Sequence, residues 1–194
     1  MSASSVVLDE QLFPRRDIQC PINSGSIRMH SLVEHLDPFE RETAERYGTQ
    51  ISWYAEQHGL KDMKQDFSKD SKQLNIDASI VEHRFAKHMN VYPNFQLDGP
   101  THVDVIINGH TVDVKWTDNP GHNLAVRGNI TPANAADIFA LMRGQAEGDM
   151  EYCGWIGKDD FFEKADTKHG QSGLPYRVCW VGYLNQGPIP EKEL

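Results

Sequence analysis

Asp104, Asp113 and Lys115 are the residues of this chain whose types and spacing could perform chemistry together. Two carboxylates that converge on one face repel each other, and a divalent cation between them would reverse the sign of that interaction. Carboxylate oxygens suit a hard ion such as Mg²⁺, which binds through a few protein carboxylates together with water and substrate phosphate oxygens. A lysine beside such an ion can orient or deprotonate water and stabilise charge that develops on a phosphate. These residue types are the ones required for metal-assisted hydrolysis of a phosphodiester.

A β-hairpin is the element that must position these side chains. Two runs of β-forming residues, 103–107 and 111–116, flank the dipeptide Asn108-Gly109. This dipeptide is the strongest short-range signal for a two-residue hairpin loop. The sequence therefore predicts an antiparallel pair of strands that turns at residues 108 and 109.

The register of this hairpin places the candidate residues on one face. Asp104 lies directly opposite Asp113, with the two Cβ atoms ~5 Å apart. Lys115 follows Asp113 by two positions, so it shares that face at ~7 Å along the strand. The alternate positions form an apolar surface on the other face: Val103, Val105, Ile107, Val112 and Val114.

A helix before the hairpin offers a third carboxylate. The sequence predicts this helix from about Asp77, which can cap it, to His88 or Asn90, with Glu82 at the margin of its apolar face. A helix packed beside the hairpin would bring Glu82 to the two aspartates. A simpler interpretation stays open, in which the hairpin acids and lysine form a solvated salt-bridge cluster and Glu82 is a surface residue.

With Glu82 on a helix, then Asp104, then Asp113-Val114-Lys115 across a hairpin, the chain resembles the PD-(D/E)xK nuclease superfamily, which has the restriction-endonuclease-like fold. The resemblance covers approximately residues 77–165. Three segments downstream of the hairpin resemble phage-type members of the superfamily: His122-Asn123-Leu124-Ala125-Val126, Ala136-Asp137-Ile138-Phe139 and Gly154-Trp155-Ile156.

The resemblance implies a metal site and an activity. Asp104 and Asp113 would be ligands of Mg²⁺, with Mn²⁺ able to replace it, and Val114 would contribute its carbonyl oxygen. Glu82 would match the helical acid that binds the metal directly or through water. Lys115 would act in catalysis. The implied activity is that of a deoxyribonuclease that leaves a 5′-phosphate.

The match departs from the family pattern before the first acid. Position 103 is Val, where the family often has Pro. Asp98, near Gly99-Pro100, is a rival for the first acid, although it lacks the register with Asp113. Residues 1–60 match no part of the family, and they could contact DNA, mediate dimerisation or brace the core.

The resemblance and the patterns elsewhere in the chain predict an α/β (α+β) protein, with a mixed β-sheet core flanked by helices. Residues 1–73 are expected to form a helical N-terminal extension and 74–194 the nuclease-like core. Asp37-Pro38-Phe39-Glu40 predicts the start of one long helix through a capping box, and Gly59 suits its end. The polar residues 61–73 are interpreted as a solvated link.

Further elements are expected downstream of the hairpin. Strands are predicted at 122–127, 137–142 and 151–156, and a short helix at 158–165. The run at 137–142 could also be helical, because its length does not decide between the two structures.

The overall charge limits how such a protein binds DNA. The chain has 19 Lys and Arg against 28 Asp and Glu, a net charge of −9, which argues against coating nucleic acid by bulk attraction. His102 has the parity of Asp104 and could touch the site, or it could be a partly exposed strand residue. A local cation strip is a candidate for following the phosphates: Lys61, Lys64, Lys69, Lys72, Arg84 and Lys87.

The chain shows no run of roughly 18 consecutive apolar residues, so no membrane-spanning helix is expected. Its three cysteines, Cys20, Cys153 and Cys179, are odd in number and far apart. They are predicted to be free, buried thiols in a reducing cytosol, which indicates a cytoplasmic protein.

Three functions follow, from different classes. The first is a Mg²⁺-dependent deoxyribonuclease whose partner is DNA, with a homodimer left open. The main alternative is a protein with the nuclease fold that binds DNA or takes part in assembly without turnover. The third is a structural domain whose acidic face is a surface cluster.

Overall fold

The structure, a computed structural model, describes residues 31–59, 70–95, 103–169, 173 and 175–193. Within these residues the chain forms three α-helices and eight β-strands, and the strands make two sheets. One sheet contains both parallel and antiparallel pairs. The predicted α/β (α+β) class is therefore confirmed.

The larger sheet has five strands. They are β1 (Ser31–Leu32), β2 (Val105–Ile107), β3 (His110–Thr117), β5 (Ile138–Gly144) and β6 (Met150–Gly157), in the order β1-β6-β5-β3-β2. β3 and β5 run parallel, whereas the other neighbours are antiparallel. β2 is thus a short edge strand, and β3 lies next to it inside the sheet.

The smaller sheet has three antiparallel strands in the order β4-β8-β7. They are β4 (Leu124–Arg127), β7 (Asp166–His169) and β8 (Pro175–Cys179). β7, β8 and the 3₁₀-helix Val181–Tyr183 that follows them have no counterpart among the predicted elements. The sequence analysis missed them because their residues are mostly polar or partly exposed and show no alternation.

The predicted elements between the hairpin and residue 165 are confirmed. β4, β5 and β6 occupy the three predicted strand positions, and α3 (Lys158–Lys164) is the expected short helix. The ambiguous run at 137–142 is a strand, because β5 lies between β3 and β6 and pairs with both. Pairing partners distant in the sequence decided a question that local length could not.

The first long helix, α1 (Pro38–Gln57), begins at the predicted capping box. The Asp37 carboxylate accepts hydrogen bonds from the N–H groups of Phe39 and Glu40, both at 2.9 Å, and the Glu40 carboxylate accepts from the N–H of Asp37 at 2.8 Å. These reciprocal bonds satisfy N–H groups that have no partner inside the helix. The helix is followed by Gly59, whose φ of 59° lies in the left-handed region.

The predicted start of the second helix is wrong. The helix α2 (Ser71–His88) begins six residues before Asp77, with Asp70 as its N-cap. Residues 71–73 are therefore helical rather than part of a link, and a boundary after residue 73 falls within the first turn of α2. Residues 61–69 of the predicted link lie outside the described residues.

Close packing of α1 on α2 explains the earlier start. A Cβ atom at Gly48 would lie 2.6 Å from the Cα of Ile76, so the two helix backbones approach as closely as glycine allows. The Ser79 hydroxyl also donates to the carbonyl of Ala44 at 2.8 Å. Contacts with a distant helix stabilise the first turns of α2, whose own residues lack an apolar stripe.

Two hydrophobic clusters lie on the two faces of the larger sheet. On one face, Phe85 of α2 and Ala44 of α1 pack with alternate strand residues such as Val112 and Val114. On the other, Phe139 packs with α3 and the smaller sheet. Of the three roles left open for residues 1–60, bracing the core is the one that the described part, α1, performs.

Candidate metal-binding and catalytic site

The hairpin has the predicted loop. Asn108 and Gly109 have φ values of 52° and 82°, and two successive left-handed residues are what a tight two-residue hairpin loop requires. The predicted register is confirmed for the three pairs of the ladder: Ile107 with His110, Ile106 with Thr111, and Val105 with Val112. Four of the five residues predicted for the apolar face are buried, namely Val105, Ile107, Val112 and Val114, whereas Val103 is half-buried.

The predicted pairing of Asp104 with Asp113 in the ladder is wrong, because the regular ladder ends at Val105. The N–H of Asp104 donates to the carbonyl of Val112 at 2.9 Å, so Asp104 and Val105 both face Val112. The Asp104 carboxylate then accepts a hydrogen bond from the N–H of Val114 at 2.6 Å. A side chain thus continues the row of acceptors where the edge strand stops.

Asp113 is the buried acid of the site. It is 2% exposed, and Lys115 donates to its Oδ1 at 2.5 Å. Its other oxygen, Oδ2, is buried and has no hydrogen-bond partner among the described residues. Leaving a buried carboxylate oxygen without a donor costs free energy.

Glu82 of α2 lies within electrostatic reach of the hairpin residues, as predicted. Burial, followed by repulsion from Asp104, raises its pKa well above the ordinary value, and Lys115 acts in the opposite direction. Burial and repulsion from Asp113 raise the pKa of Asp104 to about 7, against the effects of Lys115 and the Val114 N–H. The structure therefore brings together Glu82, Asp104, Asp113 and Lys115 from α2, the residue before β2, and β3.

Val114 has its side chain in the core and its backbone at the edge left open by β2. The side chain is 7% exposed. Because the N–H and C=O of one strand residue point to the same side, and its N–H points to Asp104, the Val114 carbonyl points to that side as well. The backbone oxygen that the family resemblance implies as a ligand is thus on the side of the Asp104 carboxylate.

The residues of the site fit a hard divalent cation. Carboxylate and carbonyl oxygens are the ligands that Mg²⁺ prefers, and the site offers Asp104, Asp113, Val114 and Glu82. The buried Asp113 Oδ2 has no donor among the described residues, and the pKa values of Glu82 and Asp104 are raised first by burial and then by repulsion between the carboxylates. Among the described residues, however, no three His, Cys, Asp or Glu side chains form a ready-made coordination group. In this state the ammonium group of Lys115 supplies the positive charge beside Asp113.

Arg84 does not belong to a phosphate-binding strip, and its prediction as a member is wrong. The side chain is 1% exposed. Its guanidinium donates to four backbone carbonyls, those of Val33, Glu34, Ala146 and Gly148, at 2.8–3.1 Å. Arg84 therefore connects α2 to two segments, the residues that follow β1 and the loop between β5 and β6. The carbonyls of these segments need hydrogen-bond donors, and the guanidinium group supplies them.

The other members of the predicted strip differ in their surroundings. Lys87 donates to Glu40 at 2.6 Å and to the carbonyl of His35 at 3.2 Å, so its charge is partly neutralised. Lys72 is exposed on the first turn of α2. The remaining lysines of the predicted strip, Lys61, Lys64 and Lys69, lie outside the described residues. So do His102, which could touch the site, and Asp98, the rival for the first acid.

The cysteines that the structure describes are free and buried, as predicted for Cys153 and Cys179. Burial raises the pKa of Cys153 to about 12 and that of Cys179 to about 11, so both stay protonated near neutral pH. Cys20 lies outside the described residues. Trp116 packs against the apolar face, as its parity predicts, and its indole N–H donates to the carbonyl of Gly144.

Asp137 holds the hairpin against β5. It accepts hydrogen bonds from the N–H and hydroxyl of Thr111 at 3.1 and 3.0 Å, and from Lys192 at 2.7 Å. The N–H of Lys192 in turn donates to the carbonyl of Asn108 at 3.0 Å, so the C-terminal segment lies against the hairpin loop. Asp137, a residue of the phage-type segment, therefore joins the hairpin to the start of β5 and to the C-terminal segment.

Two further residues, Tyr47 and Asn94, lie near Asp104 and are not among the residues predicted for the site. Tyr47 of α1 is buried, and burial together with Glu82 and Asp104 raises its pKa to about 12. Asn94 donates through its backbone N–H to the carbonyl of Asp104 at 2.7 Å and through its side chain to the carbonyl of Val103 at 2.9 Å. No signal in the sequence connects either residue to Asp104.

Comparisons with protein-family models, with curated proteins and with solved structures found no match to this chain. In the part of the chain that the structure describes, no helix combines the length and apolar character needed to cross a membrane.

Proposed function

We propose that this chain is a metal-dependent DNA endonuclease of the PD-(D/E)xK type, with a restriction-endonuclease-like core. The proposal rests on four side chains, Glu82, Asp104, Asp113 and Lys115, which the sequence pattern of that superfamily selects. A mixed sheet whose edge hairpin carries the acids, with helices packed against it, is consistent with such a core. The segments around β4, β5 and β6 add the resemblance to phage-type members.

One observation carries the proposal: the carboxylates of Glu82, Asp104 and Asp113 interact electrostatically with one another and with the single ammonium group of Lys115. Asp113 has a buried oxygen without a donor among the described residues, and Asp104 and Glu82 both have raised pKa values. A surface salt-bridge cluster would be solvated and would leave these pKa values near their ordinary range. A cluster that is unfavourable in the metal-free protein and favourable with a cation is expected at a functional site.

The residues of the site have separate roles in the proposed hydrolysis. Asp104, Asp113 and the carbonyl of Val114 would hold Mg²⁺, with Glu82 binding it directly or through water. When bound, the ion would polarise the scissile phosphate and offset the charge that develops on its oxygens. Lys115, whose side chain is 27% exposed beside Asp113, would position or activate the attacking water. Deprotonation of Asp104, which is half complete at about pH 7, is required before it can bind the ion.

The negative charge of the protein means that the proposed binding of DNA depends on a divalent ion. The chain carries a net charge of −9. The guanidinium group of Arg84 donates to backbone carbonyls and is therefore not available to bind phosphates. Since non-specific DNA binding depends on neutralising phosphates, the proposed enzyme would bind weakly without a divalent ion. The metal would then contribute to substrate binding as well as to hydrolysis.

Hydrolysis of supercoiled plasmid tests the proposal. Wild-type protein in Mg²⁺ should produce nicked and then linear DNA, EDTA should abolish both products, and the Asp113→Ala and Lys115→Ala variants should lose activity. Asp159→Ala, which removes an exposed carboxylate on α3, is the matched control and should cut like the wild type. Ligation of the nicks without prior phosphorylation would show the expected 5′-phosphate. Equal nicking by the wild type and both site variants would contradict the proposal.

The same assay separates the alternative function. A protein with the nuclease fold that binds DNA without turnover would retard a labelled oligonucleotide but leave it intact at every Mg²⁺ concentration. Retention of binding in Asp113→Ala, together with no hydrolysis by the wild type, would favour that alternative.

A further inference from the structure

A short chain of hydrogen bonds connects α1 to the backbone of Asp104. The hydroxyl of Tyr47 donates to the carbonyl of Asn94 at 3.2 Å. The N–H of Asn94 donates to the carbonyl of Asp104 at 2.7 Å, and its side-chain amide donates to the carbonyl of Val103 at 2.9 Å. Asn94 is thus fixed on one side by a helix and on the other by the two residues that lead into β2.

These bonds act where the sheet provides the least restraint. β2 contains three residues, and Asp104 lies just before it, outside the regular ladder. On its inner side Asp104 is held by bonds to Val112 and Val114. On its outer side an isolated bridge between Pro93 and Val105, and the Asn94 bonds next to it, take the place of another strand. Without them the backbone of Asp104 would be an open sheet edge.

Tyr47 is itself firmly placed. It is 8% exposed, and its ring packs edge-on against Phe95 with centroids 5.1 Å apart. On α1, the helical turn around Tyr47 is anchored to α2 through the Ser79 hydroxyl, which donates to Ala44. The Tyr47 hydroxyl therefore connects α1, as it is packed on α2, to Asn94.

We propose that Tyr47 and Asn94 are positioning residues that hold Asp104 in the conformation that binds the metal ion, which makes α1 part of the active site. This inference rests on the proposed metal site. Residues that orient metal ligands typically affect metal affinity about 10–100-fold when they are removed. Tyr47 and Asn94 do not contact the reacting atoms in this assignment, and they act through Asp104.

The chain offers matched control substitutions. Tyr47→Phe removes one hydroxyl and keeps the ring, and Tyr54→Phe makes the same change two turns later on α1. Asn94→Ala removes the amide that binds Val103. Asn75→Ala removes a part-buried amide that binds the Ser52 hydroxyl and joins α1 to α2 away from the site. Among the described residues, the ring of Tyr54 stacks on His58 and the amide of Asn75 binds Ser52, so the controls alter contacts of α1 other than the Tyr47–Asn94 bond.

Mn²⁺ titration calorimetry on the full chain is the first measurement. Tyr47→Phe and Asn94→Ala should weaken Mn²⁺ binding by about 10-fold, whereas Tyr54→Phe and Asn75→Ala should bind like the wild type. In plasmid hydrolysis, the positioning variants should regain rate when Mg²⁺ is raised, because the loss is in metal affinity. Equal Mn²⁺ affinity of the wild type and both positioning variants would overturn the inference while leaving the proposed function intact.

The amide proton of Val114 gives a second measurement that requires no metal. A short hydrogen bond to a carboxylate shifts an amide proton downfield in the NMR spectrum, and the Val114 N–H has such a bond to Asp104. Tyr47→Phe and Asn94→Ala should move this resonance upfield, and the two controls should leave it in place. An unmoved Val114 resonance would overturn the positioning role. A moved resonance in a protein that binds no Mn²⁺ would support the positioning of Asp104 and contradict the metal site of the proposed function.

Discussion

The carboxylate of Asp104 accepts a hydrogen bond from the N–H of Val114 at 2.6 Å, so that a side chain continues the sheet where β2 ends. This bond leaves Asp104 at the open end of the edge strand, on the side to which the Val114 carbonyl points. Asp113, one residue earlier on β3, is then near enough to Asp104 to raise its pKa. The geometry of one strand end therefore brings the Asp104 carboxylate close to the backbone of Val114 and within electrostatic reach of Asp113.

Metal binding should strengthen as the pH rises through about 7. The pKa of Asp104 is raised to about 7 by burial and Asp113, and the proton must leave before the carboxylate can bind a cation. Below that pH the apparent Mn²⁺ affinity should fall about tenfold for each unit of pH. Calorimetry at a series of pH values measures this directly. An affinity that is constant between pH values of about 5 and about 8 would be incompatible with the assignment.

Asp104→Asn should stabilise the metal-free protein at pH values above about 7. The folded-state pKa of Asp104 lies above its ordinary value of 3.8. The corresponding stability is therefore present below pH 3.8 and is lost as the pH rises through about 7. The asparagine side chain of this variant would retain an acceptor for the Val114 N–H and remove the charge, so the free energy of unfolding in EDTA should increase by about 1–3 kcal/mol.

Thermal unfolding with and without Mg²⁺ checks this prediction. Mg²⁺ should raise the Tm of the wild type and leave Asp104→Asn almost unchanged, because an ion that binds the native state stabilises it. Asp159→Asn, at an exposed position on α3, is the control and should respond like the wild type. A wild-type Tm that does not respond to Mg²⁺ would instead favour the interpretation of a plain acidic surface cluster.

Arg84→Ala should lower the free energy of unfolding by about 3–5 kcal/mol, since four buried or partly buried carbonyl bonds lose their donor. Arg84→Lys should recover little of this loss, because an ammonium group cannot reproduce the planar fork of donors. Urea unfolding measures both values. Arg46→Ala, which breaks an exposed pair with Glu42, should cost less than about 1 kcal/mol. A loss of DNA affinity in Arg84→Lys without a loss of stability would contradict this structural role and indicate that Arg84 binds phosphates.

Asp137→Asn should destabilise the protein near neutral pH and have less effect in acid. Although burial alone would raise it, the pKa of Asp137 is held well below its ordinary value by hydrogen bonds from Lys192 and Thr111. A lowered folded-state pKa gives stability that is present above the unfolded-state value of 3.8 and is lost as the pH falls below it. The expected loss near neutral pH is about 1–3 kcal/mol by urea unfolding. Asp166→Asn, an exposed acid on β7, should show no such loss, and equal effects of the two variants would refute the hairpin role of Asp137.

Local sequence signals predicted the elements whose geometry is determined locally. The capping box at Asp37 and Glu40 specifies the start of α1. The left-handed conformations at Asn108 and Gly109 specify the hairpin loop, and with it the side of the sheet on which Asp113 and Lys115 lie. Each of these features depends on a few adjacent residues, so the local amino-acid sequence is sufficient to identify them.

The features that the sequence did not predict depend on contacts between distant residues. α2 begins at Ser71 because its first turns pack against Gly48. Arg84 is buried because carbonyls from two separate loops converge on it. Asp104 lies outside the regular ladder, and its carbonyl accepts a hydrogen bond from the N–H of Asn94, ten positions earlier. Charge and local pattern cannot reveal such partners, since they come from segments that fold next to one another only in three dimensions.

The claim on which the proposed function depends is that the carboxylates around Lys115 hold one divalent ion. Electron paramagnetic resonance of Mn²⁺ titrated into the full chain measures this directly, because free and protein-bound Mn²⁺ give different signals. We expect a bound ion in the wild type at about pH 8 and its loss in Asp113→Asn, because this substitution replaces the carboxylate that has a buried oxygen without a donor by a neutral amide. Equal amounts of bound Mn²⁺ in the wild type and Asp113→Asn, or no bound Mn²⁺ in either, would contradict the claim.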